Sequence, residues 1–250
     1  MSILYTARGR ILYEQQSQFT PHNPMKMFPI YLRRLDERKT VLIGGDEEAE
    51  EKVEQLLERD ANLTVISPHI TDRMKQLAEQ EKFTWLDREY REGDLEGAFM
   101  AIVAEYEGNL NERVYNEAVE RDILVNVMDD LPHANFAFGS IVRQGPLTIS
   151  ISTSGAAPAL AVRLRQRFEE EFGPAYGHFL KFTQRLRKPM AKAHPDFESR
   201  KNIWYALIDS DVIEYFRSDQ LLKAYEETAR IVGRDVVDEA LKVENTLKED

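Results

Sequence analysis

Thr40-Val-Leu-Ile-Gly-Gly-Asp-Glu-Glu-Ala49 decides how this chain is read. Four apolar residues with β-propensity run into two glycines, and Ala49, Val53, Leu56 and Leu57 then recur at helical spacing. That is strand, tight turn, helix. A dinucleotide-binding turn has the form G-x-G-x-x-G/A. Its first glycine makes the turn, its second lets the backbone approach a pyrophosphate, and the last small residue lets helix and strand pack closely. Gly44 and Ala49 fit the first and last positions, while Asp46 stands at the second glycine. From Asp46 to Asp60 eight acids face only Lys52 and Arg59. Acids in a first turn favour the helix through its dipole. A capped structural helix and an altered nucleotide site therefore both remain open.

Working outward, the same alternation continues. Leu63-Thr-Val-Ile66 is a second strand stopped by Ser67-Pro68, and Met74, Leu77 and Ala78 mark a second helix. Phe83–Leu86 reads as a third, edge strand, and Phe99–Val103 as a fourth, almost wholly apolar one. Asn111–Arg121 reads as a helix and Ile123–Val127 as a fifth strand. Strands alternating with helices imply a parallel sheet, with ligands beyond the strands' carboxyl ends. Those ends carry Gly44–Asp46, Ser67–His69, Ala104–Glu107 and Met128–Asp130.

After residue 140 the pattern changes. Leu147–Ser152 alternates apolar and polar, as a half-buried strand does, and Thr153–Pro158 is a small-residue turn. Leu160, Leu164, Phe168 and Phe172 then share a helix ending at Gly173-Pro174. From Tyr176 the chain reads as helix, interrupted at Lys188-Pro189. The expected organisation is an arm (1–26), a Rossmann-like α/β domain with a parallel sheet (27–140), a small α+β region (141–174) and a helical carboxyl-terminal domain (175–250).

Composition sets bounds. The chain has 250 residues, 42% hydrophobic, ample for a core. No apolar run approaches the roughly 20 residues of a membrane span, and no signal-peptide core is present, so no membrane association and a cytoplasmic location are expected. The absence of cysteine removes disulfides, thiolate metal sites and a cysteine nucleophile. A net charge of −11 with only short basic clusters argues against nucleic acid as partner. The five histidines show no metal-ligand spacing, so no metal site is expected. His69 and His133 fall near the expected cleft.

Two further stretches carry chemistry. Asp129, at a strand end, has the position of a general base or of a metal ligand with a partner, although Asp129-Asp130 before Leu-Pro also suits a loop or cap. Ser152-Thr-Ser-Gly-Ala156 offers hydroxyls and backbone N–H groups ahead of a helix, suited to substrate carboxylates or simply to an N-cap near Ser154.

The order and spacing of these stretches resemble the siroheme synthase family of precorrin-2 dehydrogenases and sirohydrochlorin ferrochelatases, over residues 27–232. The landmarks are Phe28-Pro-Ile-Tyr31, Val41–Gly45 with Ala49 and Lys52, Leu63–Pro68, Asp94–Phe99, Leu124–Asp130, Phe136–Ser140, Gly145–Ala161 and Trp204–Phe216. No methyltransferase module follows, so the multifunctional form of the family is not expected. The resemblance implies NAD-dependent oxidation of precorrin-2 to sirohydrochlorin, with insertion of ferrous iron as a second activity. It implies Asp129 as catalytic carboxylate for both. It places nucleotide contacts at Gly44, Gly45, Asp46, Glu47, Glu48, Pro68, His69, Ala104 and Glu105. It places a tetrapyrrole substrate near Ser152, Thr153, Ser154, Gly155 and Ala156, in an intertwined homodimer whose dimerisation region is 141–174. Asp46, Glu48, Glu51, Glu105 and Gly139 depart from the family's pattern. Three of these fall on the phosphate region, which keeps two alternatives open. One is a chelatase or tetrapyrrole carrier with a degenerate nucleotide pocket. The other is a non-catalytic Rossmann-like partner-binding protein.

Overall fold

The structure, a computed structural model, describes residues 27–105 and 108–246, preceded by two short antiparallel strands, β1 (Leu4–Tyr5) and β2 (Ile11–Leu12). The rest of the 1–26 arm, and Glu107, lie outside the described residues. Two compact units divide at Phe138 and Gly139.

The first unit is a five-stranded parallel sheet in the order β5-β4-β3-β6-β7. Its strands are β3 (Thr40–Ile43), β4 (Leu63–Ile66), β5 (Thr84–Leu86), β6 (Met100–Val103) and β7 (Leu124–Val127), with helices α1 (Glu47–Leu57), α2 (Asp72–Glu79) and α3 (Leu110–Glu120). Successive side chains of a strand point to opposite faces, and here both faces are covered. Leu42, Val65 and Ile102 pack with Ala49, Val53, Leu56, Met74 and Leu77 of α1 and α2. Val41, Ile43, Val103 and Val125 pack with Leu110, Val114 and Ala118 of α3. Strand order reverses between β3 and β6, the position at which such sheets open a crevice. The expected edge strand is indeed an edge: β5 is the sheet's least buried strand.

The second unit begins with a hairpin, β8 (Ser140–Gln144) and β9 (Leu147–Ile151), whose two-residue turn has Gly145 at φ 57°. Only β9 was legible in the sequence, because Ser140, Arg143 and Gln144 mask the apolar alternation of β8. Six helices follow: α4 (Pro158–Glu171), α5 (Pro174–Ala193), α6 (Phe197–Ile208), α7 (Val212–Arg217), α8 (Leu221–Val232) and α9 (Arg234–Thr246). Gly177 of α5 meets the hairpin so closely that a methyl group there would lie 2.9 Å from the Gln144 carbonyl oxygen. Phe179, Phe182, Leu186 and Met190 of α5 join Leu207, Val212, Phe216, Val232 and Val236 in one core.

One expectation is corrected. Pro189 does not interrupt the helix: α5 runs through it to Ala193. The ring forfeits the N–H bond to the Arg185 carbonyl, a penalty of about 3 kcal/mol in an isolated helix. Leu186, Pro189 and Met190 are all buried, and that packing holds the helix on either side together.

Candidate functional site

Four strand ends stand together at the carboxyl edge of the sheet. After β3 the chain turns at Gly44, with φ 129° and its N–H on the Ile66 carbonyl at 3.1 Å. A methyl group on Gly44 would lie 2.6 Å from the Ala104 carbonyl oxygen, and one on Gly45 only 1.8 Å from that of His69. The glycine pair is thus required because the ends of β4 and β6 close on it from both sides. Thr71 N–H bonds the Gly45 carbonyl at 3.1 Å, and the buried Ser67 hydroxyl donates to the His69 carbonyl at 2.6 Å. Ser67, Pro68 and His69 thereby form a fixed wall beside the turn, with the His69 side chain exposed.

Asp46 is the N-cap of α1. Its φ of −82° is ordinary, so the substitution of a glycine position strains nothing. Its Oδ1 accepts the Ala49 N–H at 2.9 Å, and its carbonyl accepts the Glu50 N–H. A helix N-terminus is where an anion is ordinarily held by free N–H groups. Asp46 and an anion at this turn cannot both take the Ala49 N–H. Glu47 and Glu48 are exposed around that position. On the other side of the turn, Ala104 is buried with its N–H on the Ile43 carbonyl at 2.8 Å, and Glu105 is half-buried.

At the fourth strand end, Met128 N–H bonds the Val103 carbonyl at 2.9 Å, tying β7 to β6. Asp129 follows with φ 56°, the left-handed region that a non-glycine residue adopts at some expense. Its side chain is exposed and makes no hydrogen bond or ion pair among the described residues. Gly44, Gly45, Pro68, His69, Ala104 and Asp129 therefore all stand at the carboxyl end of one sheet.

Residues that the sequence reading passed over fix this end of β7. The buried Asn126 donates to the Phe136 carbonyl at 3.0 Å. Asn135 accepts the Val125 N–H at 2.8 Å and donates to the Ile123 carbonyl at 2.9 Å. The signal was a polar residue, Asn126, inside an apolar strand. Further along the sheet, Arg88 forks onto Asp94 with two contacts of 2.8 Å, and Asp94 also accepts the Arg91 N–H at 2.8 Å. The Arg88 hydrogen bonds, aided by the Arg91 N–H, hold the Asp94 carboxyl below the usual carboxylate range against its partial burial.

The Ser152–Ala156 loop belongs to the second unit. Its hydroxyls serve its own backbone: Ser152 Oγ accepts the Ser154 N–H at 3.1 Å, and Thr153 Oγ1 accepts the Ala157 N–H at 3.2 Å. Ser154, at φ 52°, is not the cap of α4, which starts from Ala157 with Pro158 in its first turn. Proline supplies the φ that a first turn wants and needs no N–H partner, so the helix starts there. Among the described residues no group of three or more His, Asp or Glu side chains could hold a metal ion, and no helix is long and apolar enough to cross a membrane.

A glycine turn at the switch point of a parallel five-stranded sheet defines a Rossmann-type domain. Residues 32–140 match the family described as "Putative NAD(P)-binding", residues 144–171 the sirohaem biosynthesis protein central family, and residues 175–231 the sirohaem synthase dimerisation region. Three domain families thus match in succession along the chain, and two of them carry the name of sirohaem biosynthesis. Relatives include a siroheme synthase of Pseudoalteromonas translucida (strain TAC 125), 31% identical over 76% of this chain and 40% of its own length. Another is siroheme synthase 1 of Aeromonas salmonicida (strain A449), 33% identical over 75% and 40%. A third, from Thioalkalivibrio sulfidiphilus, is 31% identical over 86% and 44%. The chain thus spans about two fifths of the length of these relatives. Among solved structures, SirC, a precorrin-2 dehydrogenase, superposes with a TM-score of 0.68 at 20% identity, covering 80% of this chain and all of that one. That likeness speaks to the fold.

Proposed function

We propose that this chain is a siroheme-pathway enzyme that oxidises precorrin-2 to sirohydrochlorin. The observation carrying the proposal is Asp129: a solvent-facing carboxylate in a left-handed backbone conformation, at the strand end adjoining the switch-point crevice. Dehydrogenation removes a hydride and a proton. Gly44–Glu48, Pro68-His69 and Ala104-Glu105 would hold NAD, which would supply the hydride acceptor. Asp129 takes the proton, as a carboxylate with no ion-pair partner is free to do. The relatives' names, and the family of the front domain, support this reading. The Ser152–Ala156 loop is assigned to tetrapyrrole contact, and the dimerisation-region match supports a homodimer. Ferrous iron is proposed as substrate of a second activity, in which Asp129 accepts protons leaving the ring nitrogens.

The test is turnover of precorrin-2 with NAD, followed by the absorbance of sirohydrochlorin. Asp129→Ala is expected to lower kcat by about 100-fold or more. Absence of turnover with both NAD and NADP removes the dehydrogenase reading.

Asp46 favours a second reading, a chelatase or carrier whose nucleotide pocket is degenerate, because its carboxylate occupies the Ala49 N–H. The two readings part on Asp46→Gly. Under the first, the wild-type protein binds NAD and the variant binds about tenfold more tightly. Under the second, NAD binding is detectable only in the variant, while sirohydrochlorin binds to both.

A further inference from the structure

Asp129 is held by no side-chain contact of its own, so its orientation depends on the backbone that follows it. That backbone is anchored twice. The far end of the loop is pinned to β7 through Asn135, whose side chain and N–H make three hydrogen bonds to Ile123 and Val125. The near end is anchored through Asp130. The Asp130 N–H bonds the Val127 carbonyl at 3.2 Å, closing the turn around Asp129. Asp130 Oδ2 accepts the Asn111 side-chain N–H at 3.0 Å and the His133 Nδ1–H at 2.8 Å. His133 in turn donates its backbone N–H to the Asp130 carbonyl at 3.0 Å, and its ring packs edge-on against Tyr115, with centroids 5.5 Å apart. Asn111 and Tyr115 lie one turn apart on α3, so both reach the same loop.

We propose that Asp130, gripped by Asn111 and His133, is a positioning residue that holds the Asp129 carboxylate in its working orientation. The proposal rests on the reading of Asp129 as the reaction's base. The left-handed turn at Asp129 is an uphill conformation, and such a residue persists only where its surroundings over-determine it. The Asn135 pin does not reach Asp129, so removal of the Asp130 carboxylate loosens the near end of the loop and leaves the far end in place.

The experiment compares the full-length wild type with Asp130→Ala and Asp130→Asn. Asp130→Ala is expected to lower kcat for precorrin-2 about 10- to 100-fold with KM within twofold, since misplacement of a reacting group acts on the chemical step. Asp130→Asn is expected within about threefold of wild type, because its amide oxygen still accepts both N–H groups. In NMR spectra of the isotopically labelled protein, the Asp129 amide should shift or broaden in Asp130→Ala while the Asn135 side-chain amide stays as in wild type. A kcat for Asp130→Ala within twofold of wild type overturns the proposal. A loss confined to KM does so too, as does an Asp130→Asn variant as impaired as Asp130→Ala. If the wild type turns over no precorrin-2, the dehydrogenase reading fails on its own. The NMR arm then decides: an unchanged Asp129 resonance in Asp130→Ala sinks the positioning role, and a changed one beside an unchanged Asn135 sustains it.

Discussion

Gly45 shows how a correct reading of a residue can rest on an incomplete reason. Sequence alone identifies Gly44-Gly45 as a turn and offers a phosphate as the cause. The structure supplies a nearer cause, the His69 and Ala104 carbonyls that close on the pair. Gly45→Ala is accordingly expected to destabilise the first unit whether or not any nucleotide binds. A methyl group 1.8 Å from the His69 oxygen forces backbone apart, which places the loss at about 3 kcal/mol. Chemical denaturation with and without NAD measures it, and a loss under 1 kcal/mol would show that the wall of Ser67-Pro68-His69 is soft. Asp46 was legible as a departure from the glycine pattern. Its cap on Ala49 was not, because an N-cap contact depends on the backbone angles of a residue that sequence leaves free.

At the scale of elements, strands with apolar periodicity were legible and polar ones were not. β3, β4, β6 and β7 announce themselves through Val, Leu and Ile, whereas β8 hides behind Arg143 and Gln144. Pro189 misleads for the opposite reason: a local rule predicts a break that long-range burial of Leu186 and Met190 overrides. Loop anchors such as Asn135 escape reading because their partners are carbonyl and N–H groups ten or more residues away. The segment between β5 and β6 offers a test of one such anchor. The Asp94 carboxyl is held low by Arg88, so the folded state binds its proton less readily than the unfolded chain. Its stabilising effect is therefore fully present above the ordinary carboxylate range and is lost as pH falls through the depressed folded value. Arg88→Gln should lower Tm at neutral pH, and the gap from wild type should close in acid. A gap independent of pH would mean that Arg88 acts through packing of its aliphatic stem.

At the scale of the whole molecule, the described second unit exposes large apolar side chains that its own core does not use. Phe197, Tyr205 and Ile208 of α6 fall within one stripe of that helix, at 66%, 58% and 50% exposure, and Leu222 of α8 reaches 80%. A charged chain of net −11 has polar residues enough to cover such positions, and scattered apolar exposure needs no explanation, whereas a stripe does. These residues lie within the segment that matches the sirohaem synthase dimerisation region. The expected outcome is that the full-length chain sediments at micromolar concentration as a species of twice its 29.0 kDa mass. Phe197→Glu combined with Tyr205→Glu should then shift it to the monomer. Both side chains already face solvent within the described chain, so the substitutions should leave its own core intact. Circular dichroism at helical wavelengths checks that point. A wild type that sediments as a monomer removes the dimer. A double variant that remains fully dimeric moves the interface off α6 and onto the other exposed apolar positions, Leu160 and Val162 of α4 among them.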